Sequence, residues 1–108
     1  MQNIYLFDNQ KLTYRELNEK ANELANYLSE NYKIQSQEKI GIYLEKSLES
    51  IIAILATIKL GATYVPIDIK YPKERVEYIL QDTKAKVILI NGKYKNILPK
   101  EILNINIE

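Results

Sequence analysis

The sequence predicts an α/β fold in which βαβ units build a mostly parallel sheet behind an N-terminal hairpin. Two apolar runs, residues 40–44 (IGIYL) and 87–90 (VILI), are continuous rather than alternating, which is typical of strands covered on both faces. Segments with apolar residues at helical spacing separate the predicted strands. This alternation favours parallel pairing through right-handed crossovers. The length of 108 residues suits one small domain or one part of a larger one.

The first predicted elements are a small hairpin and a long helix. Two β-prone runs, residues 4–7 and 11–13, flank the turn sequence DNQ. Thr13 and Glu16 have the spacing of a capping box, which indicates a helix over residues 14–31. Its apolar face combines Leu17, Ala21, Leu24, Ala25, Leu28 and Tyr32.

A second helix is predicted after the strand at residues 40–44. Ser47 can cap it, Glu49 lies in its positive first turn, and it should run to Leu60. Gly61 is placed to adopt the left-handed conformation that ends a helix. Apolar residues occur nearly all round this helix, so we expect it to be central and buried: Leu48, Ile51, Ile52, Ala53, Ile54, Leu55, Ala56 and Ile58.

Prolines delimit the next two elements. Residues 63–65 should form a strand, and Pro66 has no N–H for a sheet ladder, so the strand should finish there or lie at an edge. Tyr71 and Pro72 open another helix, with proline expected at the first helical position. The buried face of this helix should contain Val76, Ile79 and Leu80.

The C-terminal part of the sequence predicts two more strands. After residues 87–90, Asn91 and Gly92 indicate a turn, and a short helix is expected near Pro99. Residues 102–107 alternate apolar and polar side chains, which predicts a last strand.

Composition excludes several function classes. The net charge of +1 gives no field that favours nucleic acid or an anionic membrane. The sequence has no cysteine and no histidine, so disulfides, thiol nucleophiles, Cys/His zinc sites and imidazole catalysis are excluded. The N-terminus lacks the features of a secretory signal, and the longest apolar run is too short to span a membrane. These features lead us to expect a cytoplasmic protein.

No catalytic, cofactor-binding or metal-binding residue is predicted in this chain. Its three glycines, Gly41, Gly61 and Gly92, form no phosphate-binding pattern, and no metal-ligand spacing occurs. The acidic residues considered are spread through caps and loops: Glu45, Glu49, Asp68, Glu74 and Asp82. We expect Asp68 to be a turn residue that accepts from local amides, rather than a buried carboxylate with a shifted pKa. Arg75 is expected to be solvated or bridging rather than an anion site.

The nine tyrosines admit two readings, base stacking or placement at the rim of the core. Because the chain has no basic surplus, we expect them at the rim of the core.

Three blocks, in this order, resemble the amino-acid adenylation domains of nonribosomal peptide synthetases. Residues 12–18 (LTYRELN) are similar to the first core motif of that family, and residues 59–68 (KLGATYVPID) to the second. Residues 71–75 (YPKER), then 78–80 (YIL) and Asp82, resemble the segment that usually follows. Any one block is weak, whereas the ordered set is specific.

The sequence departs from the family pattern at two positions. Ile69 replaces a common proline and Thr63 a common alanine, and both changes should leave the fold intact.

The resemblance implies that residues 1–108 are a partial AMP-binding domain that stops before the phosphate-binding loop, so no catalytic residue is carried over. The whole enzyme would convert an amino acid and ATP into aminoacyl-AMP, with Mg²⁺ expected, and load a carrier-protein phosphopantetheine thiol. Its partners would be the rest of the domain and the carrier protein. The isolated chain is expected to bind no ATP, to have no activity, and to self-associate through exposed apolar surface.

Two other hypotheses remain open. One is a fragment of an acyl- or aryl-CoA ligase, against which the YPKER block favours the amino-acid-activating family. The other is a freestanding, non-catalytic α/β interaction module.

Overall fold

A computed structural model describes the backbone of residues 3–5, 11–90 and 104–106, and the side chains of residues 13–90. Strands β1 (Asn3–Tyr5) and β2 (Lys11–Thr13) pair in antiparallel register, with Asn3 opposite Thr13. The predicted hairpin pairing is therefore confirmed, while its turn at residues 8–10 lies outside the described residues.

Helix α1 (Tyr14–Tyr32) begins at the predicted capping box. The Glu16 backbone N–H donates to Thr13 Oγ1, and the Thr13 N–H donates to Glu16 Oε1, both at 3.0 Å. The two bonds satisfy backbone donors that the first turn leaves free. They also lower the pKa of the Glu16 carboxyl, and a helix-forming Lys20 nearby adds a smaller effect. The buried face contains Leu17, Ala21, Ala25 and Leu28.

Four strands form a parallel sheet in the order β4-β3-β5-β6 within the described part of the chain. They are β3 (Lys39–Tyr43), β4 (Thr63–Pro66), β5 (Val87–Ile90) and β6 (Asn104–Asn106). Every neighbouring pair is parallel, which confirms the predicted sheet. The predicted turn at residues 91–92 and the short helix near Pro99 lie outside the described residues.

Helices cover both faces of this sheet. One apolar cluster joins strand residues to α1 and α2 (Leu48–Lys59): Leu28, Ile34, Ile40, Ile42, Ala53, Val87 and Leu89. The other joins the opposite strand face to α3 (Lys73–Thr83): Tyr43, Ile67, Val76, Leu80, Ala85, Ile88 and Ile90. Strands β4 and β5 lie on opposite sides of β3, and crossovers of one handedness in opposite directions place their helices on opposite faces.

Two details of the prediction were wrong. Helix α2 is not buried all round: Ala53, Ala56 and Thr57 are buried, whereas Ile58 is 56% exposed. It packs against the sheet on one side and α1 on another, so the described residues leave its outer side uncovered. Pro72 is the N-cap of α3 rather than its first helical residue, because its ψ of 156° is extended.

The amino edge of the sheet is tied together by backbone hydrogen bonds. The Gln37 N–H donates to the Gly61 carbonyl at 2.9 Å, and the Thr63 N–H donates to the Glu38 carbonyl at 2.8 Å. Lys86 Nζ lies 3.2 Å from Glu38 Oε1. The Gln35 backbone N–H, and then Lys86, hold the pKa of the Glu38 carboxyl below its usual value. The loop before β3 is thereby fixed to the starts of β4 and β5.

Candidate functional site at the carboxyl edge of the sheet

Topology directs attention to the carboxyl edge of the sheet. In open parallel α/β sheets, ligands bind beyond the carboxyl ends of the strands, where neighbouring connections leave in opposite directions. That point lies between β3 and β5, because the chain passes from β3 to β4 on one side and from β5 to β6 on the other. Residues 44–47 and 67–72 are the described loops at this edge.

Tyr43, the last residue of β3, is fully buried on the α3 side of the sheet. Its hydroxyl lies 3.5 Å from the Ile69 carbonyl oxygen in the loop after β4 and can donate to it. Burial raises the pKa of the Tyr43 phenol, and the nearby Asp68 carboxylate raises it further. The phenol therefore remains a neutral donor at physiological pH.

Asp68 organises the loop between β4 and α3. Its Oδ1 accepts the backbone N–H of Lys70 at 2.9 Å, and its carbonyl accepts the N–H of Tyr71 at 3.1 Å. The carboxylate is exposed. The predicted role as a turn residue is confirmed, and the alternative of a buried carboxylate is wrong.

Arg75 lies in the first turn of α3 and is exposed. Its guanidinium carbon lies 4.7 Å from the centroid of the Tyr71 ring, within the range of a cation–π contact. The prediction of a solvated side chain is confirmed, and the aromatic contact adds a partner that sequence analysis did not identify.

The amino end of α2 follows β3 and is closed by two serines. Ser47 Oγ accepts the Ser50 N–H at 3.2 Å, and Ser50 Oγ accepts the Ser47 N–H at 3.1 Å. Ser47 Oγ also donates to the Glu45 carbonyl at 2.9 Å. The predicted Ser47 cap is confirmed. Its reciprocal partner, Ser50, was missed, although the Ser-x-x-Ser spacing is visible in the sequence.

The carboxyl edge fixes loop geometry rather than assembling reactive groups. In residues 13–90, no cluster of three or more Asp or Glu side chains could hold a metal ion. Glu74 and Asp82 lie exposed on α3, and Glu49 lies in the first turn of α2. Among the described side chains, every buried nitrogen or oxygen atom has a hydrogen-bond partner. Helices described by the structure include none long and apolar enough to cross a membrane.

Sequence analysis did not single out Tyr43. The available signal was a residue with a polar tip at the carboxyl end of an apolar run, where the strand meets the loops. The bond to Ile69, 26 positions away, follows only from the packing of β4 beside β3.

Comparison with known proteins agrees with this architecture. The family model described as AMP-binding enzyme matches residues 2–106. Tyrocidine synthase 1 of Brevibacillus parabrevis is 51% identical over 84 residues, which are 78% of this chain and 8% of that protein. This chain spans 8% or less of the curated relatives with which it was compared first.

Solved structures give the same result. The N-terminal subdomain of Klebsiella oxytoca NpsA aligns with a TM-score of 0.85 at 27% identity, over 97% of this chain and 27% of that chain. AB3403, a four-domain nonribosomal peptide synthetase bound to AMP and glycine, aligns with a TM-score of 0.82 at 30% identity. That alignment covers 89% of this chain and 7% of the synthetase. The predicted fold class and the resemblance to adenylation domains are both confirmed.

Proposed function

Because the chain belongs to the AMP-binding enzyme family, we propose that it is part of an enzyme that activates an amino acid as aminoacyl-AMP. The family match over residues 2–106 carries this proposal. The 51% identity to tyrocidine synthase 1 favours the branch of the family found in peptide synthetases. AB3403, whose structure contains AMP and glycine, supports an amino acid as the substrate class.

In the proposed reaction, a carboxylate oxygen of the amino acid attacks the α-phosphorus of ATP. The new bond joins the carboxylate to AMP, the bond between the α- and β-phosphates breaks, and pyrophosphate leaves. A phosphopantetheine thiol of a carrier protein then attacks the acyl carbonyl, forms a thioester and releases AMP. Such a reaction depends on groups that stabilise charge at the α-phosphate.

The described residues do not fit an ATP or Mg²⁺ site. They contain no acidic cluster of the kind that binds Mg²⁺, and the sequence contains no glycine-rich phosphate cradle. We therefore assign this chain a scaffolding role: α1, α2 and the sheet position the loops at the carboxyl edge. The phosphate-binding and catalytic groups would come from other parts of the enzyme.

Domain exchange tests the proposed function. Residues 11–90 would replace the matching segment of a peptide-synthetase adenylation domain whose amino acid is known. We expect the chimera to retain amino-acid-dependent exchange of pyrophosphate into ATP, because the scaffold is equivalent. A chimera that folds but catalyses no exchange would contradict the proposal. Replacing Leu28 by Asp in the same chimera provides the control for a disrupted scaffold.

The acceptor and the substrate class are tested in parallel. The chimera would be supplied with a carrier protein or with coenzyme A, and transfer to each thiol measured. Transfer to coenzyme A alone would instead favour an acyl- or aryl-CoA ligase. The isolated 108-residue chain, titrated with ATP in a calorimeter, is expected to give no binding heat, and sub-millimolar affinity would contradict the scaffolding role.

A further inference from the structure

The hydrogen-bonding direction of β4 sets which of its backbone groups face away from the sheet. Strand β4 borders the described sheet and pairs with β3 on one side. The N–H of Thr63 donates to Glu38, and the N–H of Ile67 donates to Ile42. Because successive residues of a strand present their backbone groups to opposite sides, the residues between them alternate. Val65 therefore points toward β3, and positions 64 and 66 point outward.

Proline occupies one of these two outward positions. Pro66 has no N–H, so its position opposite Ile42 costs the ladder with β3 no hydrogen bond. The same proline placed at position 65 would remove a donor to β3. The outward side of β4 keeps the N–H of Tyr64 as a donor, while the second outward position has none.

The side chains around this edge leave it accessible. Thr63 and Pro66 are exposed, and Tyr64 is 40% exposed. Exposed strand edges are templates for pairing with another chain, and proline at an edge prevents such pairing. An added strand would meet the Pro66 ring where it needs a donor.

We propose that Pro66 closes the β4 edge, so that a second copy of this chain cannot extend the sheet by pairing with β4. This inference explains why the sequence places proline after a strand-forming TYV run. It does not depend on the proposed catalytic function. It concerns the edge alone, and the exposed apolar side of α2 remains a separate surface for association.

The test restores the missing donor. Pro66→Val in the 108-residue chain supplies an outward N–H and a residue that favours strands. Both the variant and its reference would carry Ile58→Lys, which adds charge to the exposed side of α2 and limits association there. Sedimentation velocity over a wide concentration range would measure self-association. Two added hydrogen bonds in a symmetric pair should strengthen it by about tenfold or more.

A second variant separates edge pairing from general stickiness. Adding Tyr64→Pro to Pro66→Val removes the other outward donor, and association should return to the reference level. Amide exchange at Tyr64 should slow with rising concentration in Pro66→Val only. If Pro66→Val does not fold cooperatively, Pro66→Ala supplies the same N–H. Association that does not rise, or that persists after Tyr64→Pro, would overturn the proposal.

Discussion

Gly61 provides the sharpest test of how α2 is joined to β4. Its φ of 73° lies in the left-handed region, and its carbonyl accepts the Gln37 N–H at 2.9 Å. The residue therefore ends α2 and contacts the loop before β3 within a single turn. Gly61→Ala keeps the chain length and changes only the side chain, so its cost reports the backbone requirement.

The magnitude follows from three contributions. An L-residue in the left-handed region costs about 1–2 kcal/mol. Alanine also lowers the entropy of the unfolded chain, which offsets about 0.4–1 kcal/mol. The new Cβ would lie 3.1 Å from Ser36 Oγ, but Ser36 is exposed and its side chain can turn away. The net loss should be about 1 kcal/mol, or about 4 °C in Tm for a domain of this size.

Urea unfolding of wild type, Gly61→Ala and Gly61→Asn measures this loss. Asparagine has the same Cβ but tolerates left-handed φ, so Gly61→Asn should cost clearly less than Gly61→Ala. Ser36→Ala, alone and combined with Gly61→Ala, reports any clash with the Ser36 hydroxyl. A Gly61→Ala protein as stable as wild type, or equal losses for alanine and asparagine, would refute this reasoning.

Three further predictions concern the core, the sheet and its amino edge. Leu28→Ala removes a fully buried side chain of the α1 cluster and should cost about 2–5 kcal/mol in urea unfolding, and a loss below 1 would contradict its core position. Val65→Pro removes an inward donor and should cost about 3 kcal/mol, whereas Pro66→Ala should cost much less, and equal losses would refute the strand direction. Glu38 has a folded pKa below its model value of 4.5, with the Gln35 N–H as the main cause, so its contribution is present above the unfolded pKa and is lost as pH falls through the folded pKa. Glu38→Gln should therefore lower stability at neutral pH and flatten the loss of stability below about pH 5, and an unchanged acid slope would contradict it.

Local signals in the sequence predicted the fold well. The Thr13–Glu16 box and the Ser47 cap depend on residues three positions apart, so their geometry is readable from spacing. Gly61 follows the last turn of α2 and takes the predicted left-handed conformation. The continuous apolar runs at β3 and β5 predicted strands covered on both faces, and the structure buries them between helices.

Features that depend on distant contacts were not predictable in the same way. The outward side of α2 is apolar in sequence but uncovered in the described structure, because burial depends on which elements pack against a helix. Pro72 fits either the N-cap or the first helical position, and only its ψ distinguishes them. At the carboxyl edge, the contact between Tyr43 and Ile69 requires β3 and β4 to be neighbours.

The scaffolding role is tested most directly by reading the coding sequence that follows the Glu108 codon. If the chemistry lies outside this chain, an in-frame loop rich in threonine, serine and glycine should follow within a few tens of codons, as the family's phosphate-binding loop would. The longer protein would then be the one to assay for pyrophosphate exchange. An immediate stop codon would contradict a role as part of an adenylating enzyme and favour a freestanding interaction module.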